Sequence, residues 1–129
     1  MNVLTRTIAL TTAGAIVAVP TAVLVAAPAQ ADVERQGACG SGTYELSVDR
    51  EGNGFEIDAG LENQPVGSRW TIVLKHDGKR FAEVVRTTDG EGDLDVDRFR
   101  RNTSGKDVFT MKATRVGGGT TCSTKVTTR

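Results

Sequence analysis

Residues 69–87, RWTIVLKHDGKRFAEVVRT, decide the fold. They hold the chain's one tryptophan and two apolar runs either side of Asp77-Gly78. Asp-Gly between such runs predicts a β-hairpin, because a type I′ turn needs positive φ at both central residues. In the first run Trp70, Ile72 and Leu74 share one face, and Arg69, Thr71, Val73 and Lys75 share the other. That is a strand with its large residues turned into a core. In the second run, a two-residue turn that pairs Leu74 with Phe81 also sets Glu83 opposite Ile72. A bulge or an exposed edge is therefore expected there.

Working outward, residues 32–42 are polar, with glycines near the end, and read as a lead-in held only by Cys39. Tyr44, Leu46 and Val48 then alternate with Glu45, Ser47 and Asp49. Turn residues follow at 49–54, and Phe55, Ile57, Ala59 and Leu61 alternate in the same way. Beyond the hairpin, Leu94 and Val96 alternate with Asp93, Asp95 and Asp97. Residues 98–106 form a polar connection before Phe109, Met111 and Ala113. Gly117-Gly118-Gly119 is a flexible turn, and Cys122, Thr124 and Val126 line the inner face of the last strand. No segment sustains a 3.6-residue apolar period, so no helix is expected. About seven short strands between regular turn signals predict an all-β fold, a single antiparallel β-sandwich.

The chain carries 16 basic and 16 acidic residues, and Arg6 is the only charge among its first 31. The remainder is thus almost neutral, without the basic footprint of a nucleic-acid binder or the clustered Lys/Arg of a membrane-surface protein. Residues 1–31 read as a secretory signal peptide. Arg6 is its positive start, residues 7–27 are an uncharged apolar run, and Ala29-Gln30-Ala31 is a small-x-small cleavage site followed at once by Asp32. Pro20, Pro28 and that site favour cleavage over a retained anchor. Gly37-Ala38-Cys39 imitates a lipobox, but Gln36 stands where an aliphatic residue belongs. The expected product is one extracellular domain, residues 32–129, with no membrane association after cleavage. Two cysteines in an exported chain predict a single disulfide, Cys39–Cys122. In the chain-entropy account so long a loop is worth about 4–5 kcal/mol.

Trp70, the run Gly105-Lys106-Asp107-Val108-Phe109 to Ala113, and the glycine turn at 117–119 carry a resemblance. Over almost the whole of residues 32–129 the chain resembles immunoglobulin-like and fibronectin type III-like sandwiches. It also looks like the small secreted proteins of unknown function common in actinomycetes. The resemblance implies an immunoglobulin-like architecture with Trp70 on the third strand. One departure is the bridge: Cys39 precedes the first expected strand, and Met111 stands where a sixth-strand cysteine would fall.

Chemistry-bearing motifs are sparse. His76, the only histidine, sits beside the Asp77-Gly78 turn and reads as an exposed turn residue. Ser47, Ser68, Ser104 and Ser123 lack a nucleophile signature, and the disulfide consumes both thiols. Asp49-x-Glu51-x-Asn53-Gly54 and Asp89-x-Glu91-x-Asp93 imitate the start of a calcium loop. The first has Gly60 at position twelve, and the second has Leu94 where glycine belongs. Asn102-Thr103-Ser104 is a formal glycosylation sequon with no role in a bacterial chain. No catalytic residue, metal or cofactor is expected.

The reading is a monomeric, non-catalytic binding or structural module. Its partner would be a protein or a cell-envelope component, not nucleic acid. The alternatives are a secreted protease inhibitor, with Gln64-Pro65-Val66-Gly67 or residues 117–119 as its loop, and a small hydrolase. The candidate partner surface is the acid-then-base ribbon Asp93, Asp95, Asp97, Arg98, Arg100 and Arg101. Processing is directly testable: N-terminal mass spectrometry of the secreted protein should find Asp32 first, and a chain held intact in membranes would contradict the signal reading.

Overall fold

The computed structural model describes residues 32–128; the expected signal peptide, residues 1–31, lies outside them. Eight strands follow in order: β1 (Val33–Cys39), β2 (Gly42–Glu51), β3 (Gly54–Glu62), β4 (Arg69–His76), β5 (Lys79–Thr87), β6 (Leu94–Arg101), β7 (Asp107–Arg115) and β8 (Thr121–Thr128). They form two four-stranded antiparallel sheets, ordered β1-β2-β3-β6 and β5-β4-β7-β8. This is an all-β sandwich, compatible with immunoglobulin-like architecture.

The expected lead-in is strand β1, fully paired with β2 from Val33↔Val48 to Cys39↔Gly42. Its sequence hides it because it is an edge strand. Most of its side chains face water, and alternation shows only where one face is buried. The extra strand makes eight where the alternation shows seven.

Asp77 and Gly78 both take positive φ, 51° and 83°, as a type I′ turn requires. The Glu83 conflict is resolved by a β-bulge. Lys75 pairs with Arg80 but Leu74 pairs with Ala82, so Phe81 is the additional residue. The slip places Ala82 and Val84 opposite Leu74 and Ile72, and turns Glu83 outward beside Val73. β5 is also a sheet edge, so both expected consequences occur together.

The core lies between the sheets. Trp70, Ile72 and Leu74 of β4 and Phe109, Met111 and Ala113 of β7 meet Leu46, Val48, Phe55, Ile57, Ala59, Leu61, Leu94 and Val96 from the first sheet. Tyr44 is only half-buried and packs against this core. The Trp70 indole N–H donates to Ser68 Oγ at 2.9 Å. Ser68 in turn lies beside the Thr88 hydroxyl, which donates to the Pro65 carbonyl at 2.7 Å. The one polar atom of the largest core side chain thus ties together the two crossovers, residues 63–68 and 88–93. Gly92 completes the seam, with φ of +82° and a Gln64 carbonyl 2.0 Å from where a Cβ would stand. No side chain fits there.

The Cys39–Cys122 disulfide joins β1 and β8, one edge of each sheet, with Cα atoms 5.6 Å apart. At the opposite edge the Arg100 guanidinium lies 4.8 Å from the centre of the Phe81 ring, linking β6 to β5. Trp70→Ala should cost about 3–5 kcal/mol in chemical denaturation, because it leaves a large cavity and strips Ser68 of its donor. A native Trp emission maximum characteristic of water would contradict this burial.

Candidate functional site

Antiparallel alternation sorts charge onto the two outer faces. On the first sheet, inward positions are mostly apolar, with Arg35, Arg50, Arg98 and Arg100 as the exceptions, and the outward ones carry Glu34 on β1, Glu45, Asp49 and Glu51 on β2, Glu56, Asp58 and Glu62 on β3, and Asp95 and Asp97 on β6. More than half of the chain's 16 acids therefore share one face. Its one outward base is Arg101, at the end of β6.

The second sheet is the reverse. Its outward positions include Arg69, Lys75, Arg80, Lys112 and Lys125, with Glu83 as the acid. Glu83 accepts from Arg80. Cross-strand register lines up Arg80, Lys75, Thr110 and Lys125 in one row, and Glu83, Val73, Lys112 and Ser123 in the next. Between them lies a concave depression of about 500 Å³, lined by these side chains with Met111 and Thr124. Near-neutral net charge thus conceals an acidic face and a basic groove on opposite sides.

The acid-then-base ribbon is divided by the same rule. Asp95 and Asp97 face outward on β6, and Asp93 precedes the strand, where its Oδ1 accepts the Asn63 N–H at 3.1 Å. Arg98 and Arg100 sit on the opposite side of β6, in line with Leu94 and Val96, and both are half-buried. Acids and these two bases therefore do not form one surface; Arg101 alone returns to the acidic side. The sequence contained this signal, since Arg98 and Arg100 follow Val96 at a spacing of two.

Within the acidic face, Asp58 stands directly opposite Asp97. Hydrogen bonding to Asp97, then burial, then the neighbouring negative charge push Asp58 up to about 7. Burial, followed by neighbouring carboxylates, also raises Glu45. Between the ordinary carboxylate range and about pH 7 the Asp58–Asp97 pair therefore holds a proton that the unfolded chain releases.

At one end of the sandwich a second set of titratable groups converges, and here the structure corrects the sequence reading. His76 is not exposed; it is 4% accessible, inward on β4 two residues after Leu74, and stacked on Phe109 at 4.3 Å. Asp107, the first residue of β7, is fully buried. His76 Nε2 lies 2.7 Å from Asp107 Oδ1 and 3.6 Å from Asp77 Oδ2. The Thr103 hydroxyl lies within 2.7 Å of Asp107 Oδ1 and 2.9 Å of Asp77 Oδ2. Asp77 Oδ1 accepts the Val108 N–H at 2.8 Å. That bond, followed by Thr103 and His76, holds Asp77 below the usual carboxylate range. Asp107 resembled only part of a strand motif in the sequence, yet its spacing of two before Phe109 marks it as inward-facing.

The calcium-like stretches serve other ends. Asp49 and Glu51 belong to β2, closed onto β3 by a two-residue turn at Gly52-Asn53. Asp89 Oδ1 accepts the N–H groups of Glu91 and Asp93 at 2.9 and 3.0 Å. These bonds lower Asp89 below its ordinary range and shape the turn.

Compared with known proteins, the chain matches no family model, no curated protein and no solved structure.

The Asp58–Asp97 pair fixes the sign of a pH effect. Between 3.8 and about 7 the folded protein binds more protons than the unfolded chain. Stability should therefore fall as pH rises through that window. Asp77 and Asp89 act in the opposite sense, but only at more acid pH. Urea denaturation at pH 5 and pH 8 should show the acid-side gain, and Asp97→Asn should flatten it.

Proposed function

We propose that this protein is a secreted, non-catalytic binding module, immunoglobulin-like in architecture, that holds an anionic cell-envelope polymer on the outer face of its second sheet. The basic groove carries the reading. Lys75, Lys112 and Lys125 present ammonium groups around a concavity that also offers the hydroxyls of Thr110 and Ser123. Ammonium groups on flexible stems suit a repeated phosphate or carboxylate whose exact position varies along a polymer. The acidic face on the other side repels the same polymer and so orients the domain, since charge complementarity governs approach and register more than tightness. The disulfide between the sheet edges is consistent with an extracellular setting.

One observation favours a second reading, the protease inhibitor. Loop 63–68 is braced at several points: Gln64 Nε2 donates to the Cys39 carbonyl at 2.8 Å, Gln64 N donates to Gly92 O, and Thr88 holds Pro65. Val66 stands out of this rigid loop at 67% exposure, which suits an apolar side chain offered to a specificity pocket. The readings separate by mutation, because Val66→Asp should leave polymer binding unchanged and abolish any inhibition.

The leading reading is tested with Lys75→Glu/Lys112→Glu/Lys125→Glu and immobilised poly(glycerol phosphate). Binding should fall at least about tenfold, only ~1.4 kcal/mol over three reversals. Melting should hardly move, as expected for exposed positions. Equal retention of variant and wild type at low salt would exclude the groove.

A further inference from the structure

The His76 end of the sandwich takes no part in the groove, and its hydrogen bonding is unbalanced. Asp107 is fully buried, yet its Oδ1 receives the Thr103 N–H, the Thr103 hydroxyl and His76 Nε2, while its Oδ2 receives nothing. Thr128, the register partner of Asp107 across β7 and β8, also has a buried hydroxyl without a partner. A buried carboxylate oxygen left unmatched bears the full cost of its lost hydration. Thr103 compounds the shortage, because its hydroxyl touches two carboxylates and has a single proton to donate. One of those contacts is oxygen against oxygen. Such a set has more carboxylate oxygens than protons to fill them.

We infer that His76, Asp77 and Asp107 bind a divalent transition-metal ion of the zinc class. Among the described residues they are the one His/Cys/Asp/Glu group whose ligand atoms all lie within 4.8 Å of one another. The 3.6 Å from His76 Nε2 to Asp77 Oδ2 is near the roughly 3.3–3.5 Å between ligands at 2.0–2.1 Å bonds in a tetrahedral site. The 2.7 Å contact of His76 with Asp107 is a hydrogen bond. Metal binding at Nε2 takes the ring as its Nδ1–H tautomer, breaks that hydrogen bond and lets Asp107 ligate through its unmatched Oδ2, leaving Oδ1 with Thr103. One imidazole nitrogen with two carboxylates suits zinc better than calcium, which takes six to eight oxygens. Asp77, 37% exposed at its side chain, gives the ion its way in and leaves a position for water. Bound there, the ion ties the β4–β5 hairpin to the start of β7.

Zinc chloride titrated into chelator-treated protein tests this, with the single imidazole followed by NMR and melting followed in parallel. The ring resonances should shift on binding and the melting temperature should rise, whereas calcium chloride should do neither. Asp77→Asn retains a turn pair that type I′ geometry favours, so its folding is not in question. It should weaken zinc binding by at least about tenfold, the lower end of the loss from removing even an outer partner of a metal ligand. Unmoved imidazole resonances under zinc would overturn the site. So would an Asp77→Asn protein that binds zinc as wild type does, which would mean that Asp77 is not a ligand.

Discussion

The structure depends on one geometric constraint: in each strand of the sandwich, alternate residues point into a shared core and the rest into water. Once the Asp77-Gly78 turn and the Phe81 bulge set the register of β4 and β5, the parity of Trp70, Ile72 and Leu74 determines what every neighbouring strand must turn inward. A slip of one residue would turn Glu83 and Lys112 into the apolar core, which no local compensation could offset. Register is specified by burial, and the bulge is the local adjustment that lets β5 comply.

The same constraint explains why the edges need separate closure. The outer strands have fewer apolar side chains to hold them: β1 is mostly exposed, and β8 buries Val126 but leaves most of its positions to solvent. Cys39–Cys122 closes this side covalently, and Gln64 anchors the loop at the Cys39 carbonyl. The β5–β6 side is closed by the half-buried Arg100, whose guanidinium lies over the Phe81 ring. Together with the Trp70–Ser68–Thr88 seam, these contacts hold the crossovers that place one sheet over the other.

Surface chemistry follows from what the constraint leaves outside. Outward positions are free of packing demands, and here they segregate charge, acids to one sheet and bases to the other. At a physiological Debye length of about 8 Å, faces separated by a sandwich core about 10 Å thick act nearly independently on a partner. The basic groove can therefore attract an anion although the whole chain is almost neutral. The buried polar set at His76 belongs to a different part of the molecule, the end of the core where apolar residues give way to crossover loops.

By itself the sequence determined the elements and much of the core. Alternation at 44–48, 55–61, 70–74 and 109–113 marked strands and their buried faces, Asp77-Gly78 marked the hairpin, and the cysteine pair admitted one bridge. These signals are local, written in neighbours two residues apart. Even His76 and Asp107 could be placed inward by continuing the alternation one step beyond Leu74 and before Phe109. Tertiary structure decided the rest. Only pairing partners reveal β1, because an edge strand with both faces near water needs no alternation. Only register converts scattered acids and bases into an acidic face and a basic groove, and separates Arg98 and Arg100 from Asp95 and Asp97. Only the crossover at 102–106 and the pairing of β4 with β7 bring Thr103 and Asp107 against His76 and Asp77, residues about 30 positions apart in the chain. Strand order and loop closure are set by the free energy of the whole packed core, which no local segment encodes.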